Sequence, residues 1–188
     1  MRLVPRLLLV CLGVVNAGVP ANWTADYPPC NQHSELLSQE HLNLAVRIAT
    51  ANPLLAKQFR RALDFWAGIL DLDWHPDDSQ SCSIQVVDGK PELFQPAAIG
   101  ARSQLPNRLN FEGWIAFNPR IKLTEMELYR MSVHEIGHVL GLEHSSNPRS
   151  VMYGFELDGQ ESLDSADLEA LAKHHKMRVA TSDQLVKK

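Results

Sequence analysis

The sequence predicts an α+β fold built as one domain, and three observations predict it. Strand and helix signals follow one another in the order strand, helix, strand, strand between residues 42 and 87. Residues Thr124 to Glu127 then form a capping box, which marks the start of a second helix. Asp164 can cap a final helix close to the carboxyl terminus.

The chain begins with a predicted secretory signal peptide, residues 1–17. Arg2 and Arg6 precede an apolar run over residues 7–15, and the small side chain of Ala17 suits a cleavage position. This run is too short to span a bilayer as a stable helix. We therefore predict export to the extracellular space, or to the periplasm if the host is Gram-negative.

Removing the signal leaves 171 of the 188 residues, enough for one domain of ordinary size. We predict that domain over residues 41–176, after a short N-terminal segment or minimal propeptide (18–40) and before a polar tail (177–188). The signal contains two arginines and no acids, so 16 basic and 22 acidic side chains remain, a net charge of −6. This charge favours no nucleic-acid partner. We expect a monomer without a membrane span.

The first predicted strand covers Leu42 to Ile48, where apolar residues alternate with period two. Asn52 then caps a helix that has Pro53 at its first position. Further strands are predicted at about 71–74 and 83–87. Apolar residues recur along the helix at helical spacing and predict a core-facing stripe of Leu55, Phe59, Ala62, Leu63, Trp66 and Leu70.

The second helix begins at about Glu125, with Leu123 and Leu128 placed as a hydrophobic staple. On a helical wheel His134 and His138 lie roughly opposite an apolar arc, which predicts one face in the core and one face open to a cleft. The members of the arc are Met126, Tyr129, Val133, Ile136 and Leu140.

The motif of this helix has the spacing of zinc ligands. His134 and His138 are four residues apart, so their directions differ by about 40° and both imidazoles can reach one ion. Glu135 is placed to hold and deprotonate a zinc-bound water. Gly141 can end the helix in the left-handed conformation and return the chain, which brings His144 as a third ligand. Three protein ligands leave one zinc position open, as in a catalytic site.

The pattern HExxHxxGxxH, followed by Ser150-Val151-Met152-Tyr153, resembles the signature of the metzincin zinc proteases and is most similar to matrixin (matrix-metalloprotease-like) catalytic domains. The resemblance implies a metzincin fold: a twisted mixed β-sheet, one helix in the N-terminal half, an active-site helix, and a small C-terminal subdomain ending in a helix. It also implies a sheet-edge strand at about residues 99–103 bordering the cleft.

The resemblance assigns further roles. Met152 would form a hydrophobic floor beneath the zinc, and Tyr153 would line the pocket for the side chain after the scissile bond. Asp167 matches the buried aspartate that forms hydrogen bonds beneath the turn of residues 150–153, called the methionine turn below. Matrix metalloproteases usually have proline after the tyrosine, whereas this chain has Gly154, so the pocket preference stays open.

Arg102, Ala116 and Asn118 stand near the positions of structural-zinc ligands in the matrixin pattern. Arginine and alanine offer a metal no acceptor, so we predict one catalytic zinc and no structural zinc. The region carries no dense run of oxygen ligands, and calcium binding is left open.

Export makes a disulfide between Cys30 and Cys82 plausible, while Cys11 would leave with the signal. An alternative is that Cys30 is a latch, because matrixin-like enzymes are often kept inactive by a cysteine thiolate at the zinc. Pro29-Cys30-Asn31 matches that switch only loosely.

The predicted function is that of a secreted zinc-dependent metalloendopeptidase acting on proteins or peptides, with a zinc-activated water and Glu135 as general base. Two alternatives stay open. One is a non-catalytic zinc-binding interaction or inhibitory protein on the same fold, against which an intact Glu135 argues. The other is an amidase acting on a non-protein substrate such as a cell-wall peptide.

Overall fold

A computed structural model describes residues 41–79, 82–90, 97–104, 111–154 and 162–178 of the chain. These residues form five strands and three helices in an α+β arrangement. In chain order the elements are β1 (Leu42–Ala49), α1 (Pro53–Ile69), β2 (Leu72–Pro76), β3 (Ile84–Asp88), β4 (Ala98–Gln104), β5 (Phe111–Phe117), α2 (Glu125–Leu140) and α3 (Ser165–His174).

The five strands form one mixed sheet in the order β2-β1-β3-β5-β4. The pairs β1–β2, β1–β3 and β3–β5 are parallel, whereas β4 runs antiparallel to β5 and lies at the edge. The predicted α+β class and mixed sheet are confirmed. The parallel strands are joined through crossovers, and α1 is the crossover between β1 and β2.

Helix α1 begins as the sequence predicts. The Asn52 side chain accepts hydrogen bonds from the backbone N–H groups of Leu54 and Leu55, and Pro53 occupies the first helical position. The predicted apolar stripe is buried against the sheet and α2. Trp66 is fully buried, and its indole N–H donates to the carbonyl of Val133 on α2 at 3.1 Å. Helix α1 therefore supports the middle of α2.

Helix α2 has the predicted capping box, in which Thr124 and Glu127 exchange side-chain-to-backbone hydrogen bonds. Two expectations about its faces are wrong. Met126 is 44% exposed, because it lies in the first turn, before the buried stretch that starts at Leu128. From that residue to Leu140 every residue but Arg130 is buried, so the histidine side is also covered and is no open face.

Helix α3 is capped by Asp164, which forms a second capping box with Asp167. After α3 the chain packs against the start of β2. Met177 bridges to Leu70, and the Arg178 guanidinium donates to the carbonyls of Leu70 and Leu72. The packed chain therefore continues through Arg178, two residues beyond the predicted boundary at 176.

Strand β5 is the element that the sequence did not predict as a strand. The predicted signal peptide, the 18–40 segment, Cys30 and residues 179–188 lie outside the described residues. No helix within the described ranges is long and apolar enough to cross a membrane.

Candidate metal centre

The structure brings His134, His138 and His144 together. His134 and His138 lie one turn apart on α2, and His144 comes from the segment after the helix. The Nε2 atom of His138 lies 3.1 Å from that of His134 and 3.2 Å from that of His144. His144 is the least buried of the three. The three imidazoles therefore point their Nε2 atoms at one common point.

Gly141 produces the turn that returns His144 to the helix. Its φ angle is 102°, in the left-handed region that residues with a Cβ seldom adopt. The N–H of Leu142 then donates to the carbonyl of Gly137 at 2.9 Å, which closes the helix end. The chain runs back along the methionine turn, where Ser145 donates its N–H to the carbonyl of Met152.

Backbone carbonyls fix the tautomers of two histidines. The Nδ1 atom of His134 lies 2.7 Å from the carbonyl oxygen of Val151, and that of His138 lies 2.8 Å from the carbonyl oxygen of Leu142. A carbonyl only accepts, so each Nδ1 carries a proton and donates it. The neutral ring then has its lone pair on Nε2, which is the form that binds a metal.

Burial keeps these rings neutral. Desolvation lowers the pKa of His134 to about 3, and the neighbouring His138 adds to this effect. Desolvation also lowers the pKa of His138 to about 4 and lowers the pKa of His144. At neutral pH no proton therefore competes with a cation for the Nε2 atoms.

The spacing of the three nitrogens fits zinc. Tetrahedral zinc with Zn–N bonds of 2.0–2.1 Å would separate its nitrogen ligands by about 3.3 Å. Within the described ranges, these histidines form the one group of three His, Cys, Asp or Glu side chains with ligand atoms within 4.8 Å of one another. Three neutral imidazole ligands are also a donor set that suits Zn²⁺.

Glu135 lies beside this group on α2 and is 2% exposed. Desolvation raises the pKa of its carboxyl to about 8, and a hydrogen bond from the backbone of Gly100 opposes that rise. Its Oε1 atom is buried and has no hydrogen-bond partner in the structure. A buried carboxylate oxygen without a partner is costly unless a group outside the chain completes it.

Met152 lies against α2 at Gly137 and is fully buried. A Cβ atom on Gly137 would stand 2.5 Å from the Met152 sulfur and 3.2 Å from the Trp66 ring. The absence of a side chain at Gly137 therefore lets the methionine approach the helix between the two histidine ligands. The floor role predicted for Met152 stays a prediction, and its burial beside the helix is compatible with that role.

Asp167 of α3 reaches the methionine turn through Ser150. The Ser150 hydroxyl donates to Asp167 Oδ2 at 2.5 Å and accepts from the N–H of Met152 at 2.9 Å. The same carboxylate oxygen accepts from the N–H of Asp164. Burial raises the pKa of Asp167, and these hydrogen bonds counteract part of that rise. The role predicted for Asp167 stays a prediction, and these contacts are compatible with it.

Tyr153 is half-buried, and its N–H donates to the carbonyl of Ser150. Gly154 lies under the third histidine, since a Cβ at this position would be 3.3 Å from the His144 ring. The pocket-lining role of Tyr153 stays a prediction, because residues 155–161 lie outside the described chain.

Strand β4 forms the sheet edge beside α2, as the sequence expected at residues 99–103. The carbonyl of Ala97 accepts from the N–H of Asn118, so position 97 faces β5. Because an antiparallel ladder alternates, the backbone groups of residues 98, 100 and 102 face away from β5, and Gly100 lies against Glu135 of α2.

The three residues at the matrixin structural-zinc positions, Arg102, Ala116 and Asn118, lie on β4, on β5 and just after β5. Arg102 pairs with Gly113, and Ala116 pairs with Ile99. Asn118 follows β5 and is buried, and its side-chain oxygen accepts from the N–H of Arg120. The absence of a structural zinc, and the question of calcium, stay predictions.

Sequence reasoning missed the supports of the site: Gly100, Gly137 and the carbonyls of Leu142 and Val151. The glycines had a weak signal, since a glycine inside a strand or helix pattern often marks a close approach. The carbonyls had no signal, because a main-chain oxygen is independent of residue type.

Comparisons with known proteins agree with this geometry. The matrixin (peptidase M10) family model matches residues 40–176. The archaemetzincin of Methanocaldococcus jannaschii is 31% identical over 99 residues, 53% of this chain and 50% of that protein. Human matrix metalloproteinase-16 is 24% identical over 164 residues, 71% of this chain and 26% of that protein.

A short stretch is more similar still: rat macrophage metalloelastase is 62% identical over 26 residues, 14% of this chain and 6% of that protein. The chain thus spans half or less of the length of these relatives. The family match covers most of the chain and includes the three histidines. This chain therefore belongs to the matrixin family of zinc metalloproteases.

Proposed function

We propose that this protein is a zinc-dependent endopeptidase in which His134, His138 and His144 hold one zinc ion through Nε2. The convergence of the three Nε2 atoms carries the proposal. His134 and His138 donate from Nδ1 to carbonyls, so two Nε2 lone pairs face each other at 3.1 Å. Such lone pairs repel unless a cation lies between them, and only a bound cation turns this cluster into a favourable arrangement.

A zinc ion held there supplies a Lewis acid for the scissile carbonyl and makes water more acidic. Glu135 is the general base. Its unpartnered Oε1 accepts a proton from the attacking water and then donates that proton to the leaving amide nitrogen. Burial raises the pKa of this carboxyl to about 8 in the metal-free protein, and the positive charge of a bound zinc ion would lower that pKa towards the ionised form that a general base needs.

We propose that the substrate is an extended segment of a protein or peptide. Strand β4 is a sheet edge whose residues 98 and 102 direct backbone groups away from β5. An extended chain can pair with such an edge through main-chain hydrogen bonds, whatever its sequence. Tyr153 would then line the pocket for the side chain after the scissile bond, and Met152 would lie beneath the zinc.

We also propose that the protein is secreted after removal of residues 1–17 and carries one zinc ion per chain. The arginines and apolar run of the leader support secretion. The side chains of Arg102 and Ala116 support the single ion, since neither can coordinate a metal. Metal analysis of the purified protein tests this count, and two zinc ions per chain would contradict it.

The activity is tested with a quenched peptide library, incubated with the wild-type protein with and without a chelator. We expect cleavage that the chelator abolishes. Glu135→Ala should lose at least about a hundredfold in kcat while keeping its zinc. Glu143→Ala is the matched control, because Glu143 is exposed on the adjacent turn and should keep wild-type activity.

Two results would contradict the endopeptidase proposal. Wild-type protein with one zinc per chain and no cleavage, under reducing and non-reducing conditions alike, would refute the endopeptidase and favour a non-catalytic zinc protein. Cleavage of a non-protein amide, with no cleavage of any library peptide, would favour the amidase.

A further inference from the structure

Gly100 lies on β4 directly opposite Glu135 and is buried. A Cβ atom built on Gly100 would be 2.8 Å from the carbonyl oxygen of Glu135 and 2.9 Å from its Oε2 atom. Real Cβ atoms do not come this close to other heavy atoms. The strand and the helix can therefore be this near only because residue 100 has no side chain.

The backbone of Gly100 also contacts the carboxyl group. Gly100 faces away from β5 in the ladder, and its N–H donates a hydrogen bond to the Glu135 carboxyl. Since Oε1 has no partner, the acceptor is Oε2. One carboxylate oxygen is thus held by the sheet edge, and the other is left for an outside group.

We propose that Gly100 is a positioning residue for Glu135: its N–H holds Oε2, and its missing side chain admits the carboxylate, so that Oε1 is aimed at the water of the proposed reaction. This inference rests on the proposed function. The carboxylate would otherwise rotate about its last torsion, which is broad for glutamate. A fixed donor on a strand removes that freedom without adding a second side chain to the site.

Gly113 offers a useful comparison, because it also faces α2. A Cβ at Gly113 would be 2.4 Å from a methyl group of Val139, one turn beyond Glu135, and its three nearest atoms would belong to Val139 and Ile84. Gly113 is therefore a packing glycine, and its replacement separates loosened packing from a misplaced carboxylate. Gly68 is the neutral case, since a Cβ there meets nothing within 4 Å.

The first test compares Gly100→Ala, Gly113→Ala and Gly68→Ala in the full-length, zinc-loaded protein on one peptide substrate. For Gly100→Ala we expect kcat to fall by about 10- to 100-fold, with KM and zinc content close to wild type. Gly113→Ala should lower the melting temperature and keep most of kcat. Gly68→Ala should keep the wild-type kcat, with a melting temperature at or above that of the wild type because alanine favours a helix.

Two results of this test would overturn the inference. One is wild-type kcat in Gly100→Ala. The other is a kcat loss in Gly113→Ala as large as that in Gly100→Ala at the same loss of melting temperature, because then loosened packing alone would explain both.

The second test needs no turnover. Calorimetry measures the affinity of a peptide hydroxamate, a zinc-binding probe whose hydroxyl can donate to Glu135, for the zinc-loaded wild type, Gly100→Ala, Glu135→Ala and the double variant. We expect Gly100→Ala to weaken binding about tenfold in the wild-type background and to change nothing in the Glu135→Ala background.

An equal loss in both backgrounds would show that Gly100 acts on the peptide and not through Glu135. A wild-type protein that binds the hydroxamate but cleaves nothing would refute the proposed function. In that case the double-variant comparison still decides whether Gly100 holds Glu135, so the two failures are distinguishable.

Discussion

Glu135 is a carboxyl group in a setting that disfavours its charge. It is fully enclosed, its Oε1 has no partner, and burial raises its pKa to about 8. The neighbouring rings of His134 and His138 are neutral for the same reason. In the metal-free protein these groups destabilise the fold, which is the common condition of residues selected for chemistry.

The free-energy cost of burying the Glu135 carboxyl group increases as pH rises. Unfolded Glu135 loses its proton near pH 4.5, whereas the folded carboxyl keeps it up to about pH 8. Between these values the folded state binds more protons, so the free energy of unfolding falls as pH rises, by up to about 1.4 kcal/mol per pH unit. Above about pH 8 the penalty is constant.

Glu135→Gln removes that titration. In metal-free protein, the melting temperature of the variant relative to that of the wild type should rise steadily from pH 5 to pH 8. The titration of the histidines cancels in this comparison because both proteins contain them. Glu143→Gln, at an exposed position, is the control for the chemical change itself. A difference between Glu135→Gln and wild type that is constant over this range would contradict the burial of the charge.

Individual residues differ in how far the sequence predicts them. The spacing of His134, His138 and His144 predicted a cluster because helix geometry and one glycine turn are local. Gly100 is 35 positions from Glu135, and only the folding of β4 against α2 brings them together. The carbonyls that hold the histidines depend on tertiary structure in the same way.

Among the elements, α2 is the one whose ends were predicted and whose faces were not. Thr124 and Gly141 fix its start and its end through local hydrogen bonds. The helical wheel predicted that the face carrying the histidines is open to solvent, but strand β4 and the methionine turn cover that face. The pattern failed because buried ligands such as His134 are polar in sequence and interior in the fold.

Strand β5 was missed for a related reason. It is flanked by β3 and β4, and Trp114 to Phe117 are all buried, so no alternation marks it. Gly113 weakens the strand pattern further, yet the glycine is there because Val139 of α2 packs on it. A strand whose residues are selected by packing against a neighbouring helix shows little local strand signal in its sequence.

Gly141 connects α2 to the metal centre, since its left-handed conformation ends α2 and directs the chain to His144. Gly141→Ala should cost about 1 kcal/mol and weaken zinc binding, because a Cβ disfavours this conformation. Gly141→Asn should lose less, since asparagine tolerates it better. Melting temperature and competition with a zinc-binding dye measure both effects. Equal behaviour of the alanine and asparagine variants would contradict this reason.

At the scale of the whole molecule, the site lies where three separate parts of the chain meet. The α2 helix provides two histidines and Glu135, the edge strand β4 covers them, and the methionine turn carries Met152 to the helix. Hydrogen bonds from Ser150 to Asp167 connect that turn to α3. A change in α3 can therefore reach the metal centre through two hydrogen bonds, without any contact with a ligand.

Cys82 ties a further part of the chain to the centre of the sheet. It is fully buried and disulfide-bonded, just before central strand β3. The next residue, Ser83, exchanges backbone and side-chain hydrogen bonds with Ala45 of β1 and accepts from the N–H of Gly113 at β5. The partner lies outside the described residues. Cys30 is the predicted partner, and the pairing stays a prediction.

The two readings of Cys30 predict opposite results. If Cys30 pairs with Cys82, the bridge closes a long loop and contributes about 4 kcal/mol in the chain-entropy model. Cys30→Ser should then lower the melting temperature by about 10 °C and leave specific activity at 20 °C unchanged. Cys82→Ser should lower it as much, and the double variant no further.

If Cys30 is instead a latch on the zinc, Cys30→Ser should raise the activity of freshly purified protein and leave the melting temperature near that of the wild type. Cys11→Ser separates the two cases: it is silent if Cys30 pairs with Cys82 and residues 1–17 are removed, whereas a latch at Cys30 leaves Cys11 as the remaining cysteine of the chain for Cys82. A stability loss in Cys11→Ser would assign the Cys82 bridge to Cys11 and show that the leader is retained. Peptide mapping without reductant identifies the bridged pair directly, and a Cys30–Cys82 peptide would exclude a permanent latch in the same molecule, since one sulfur cannot do both.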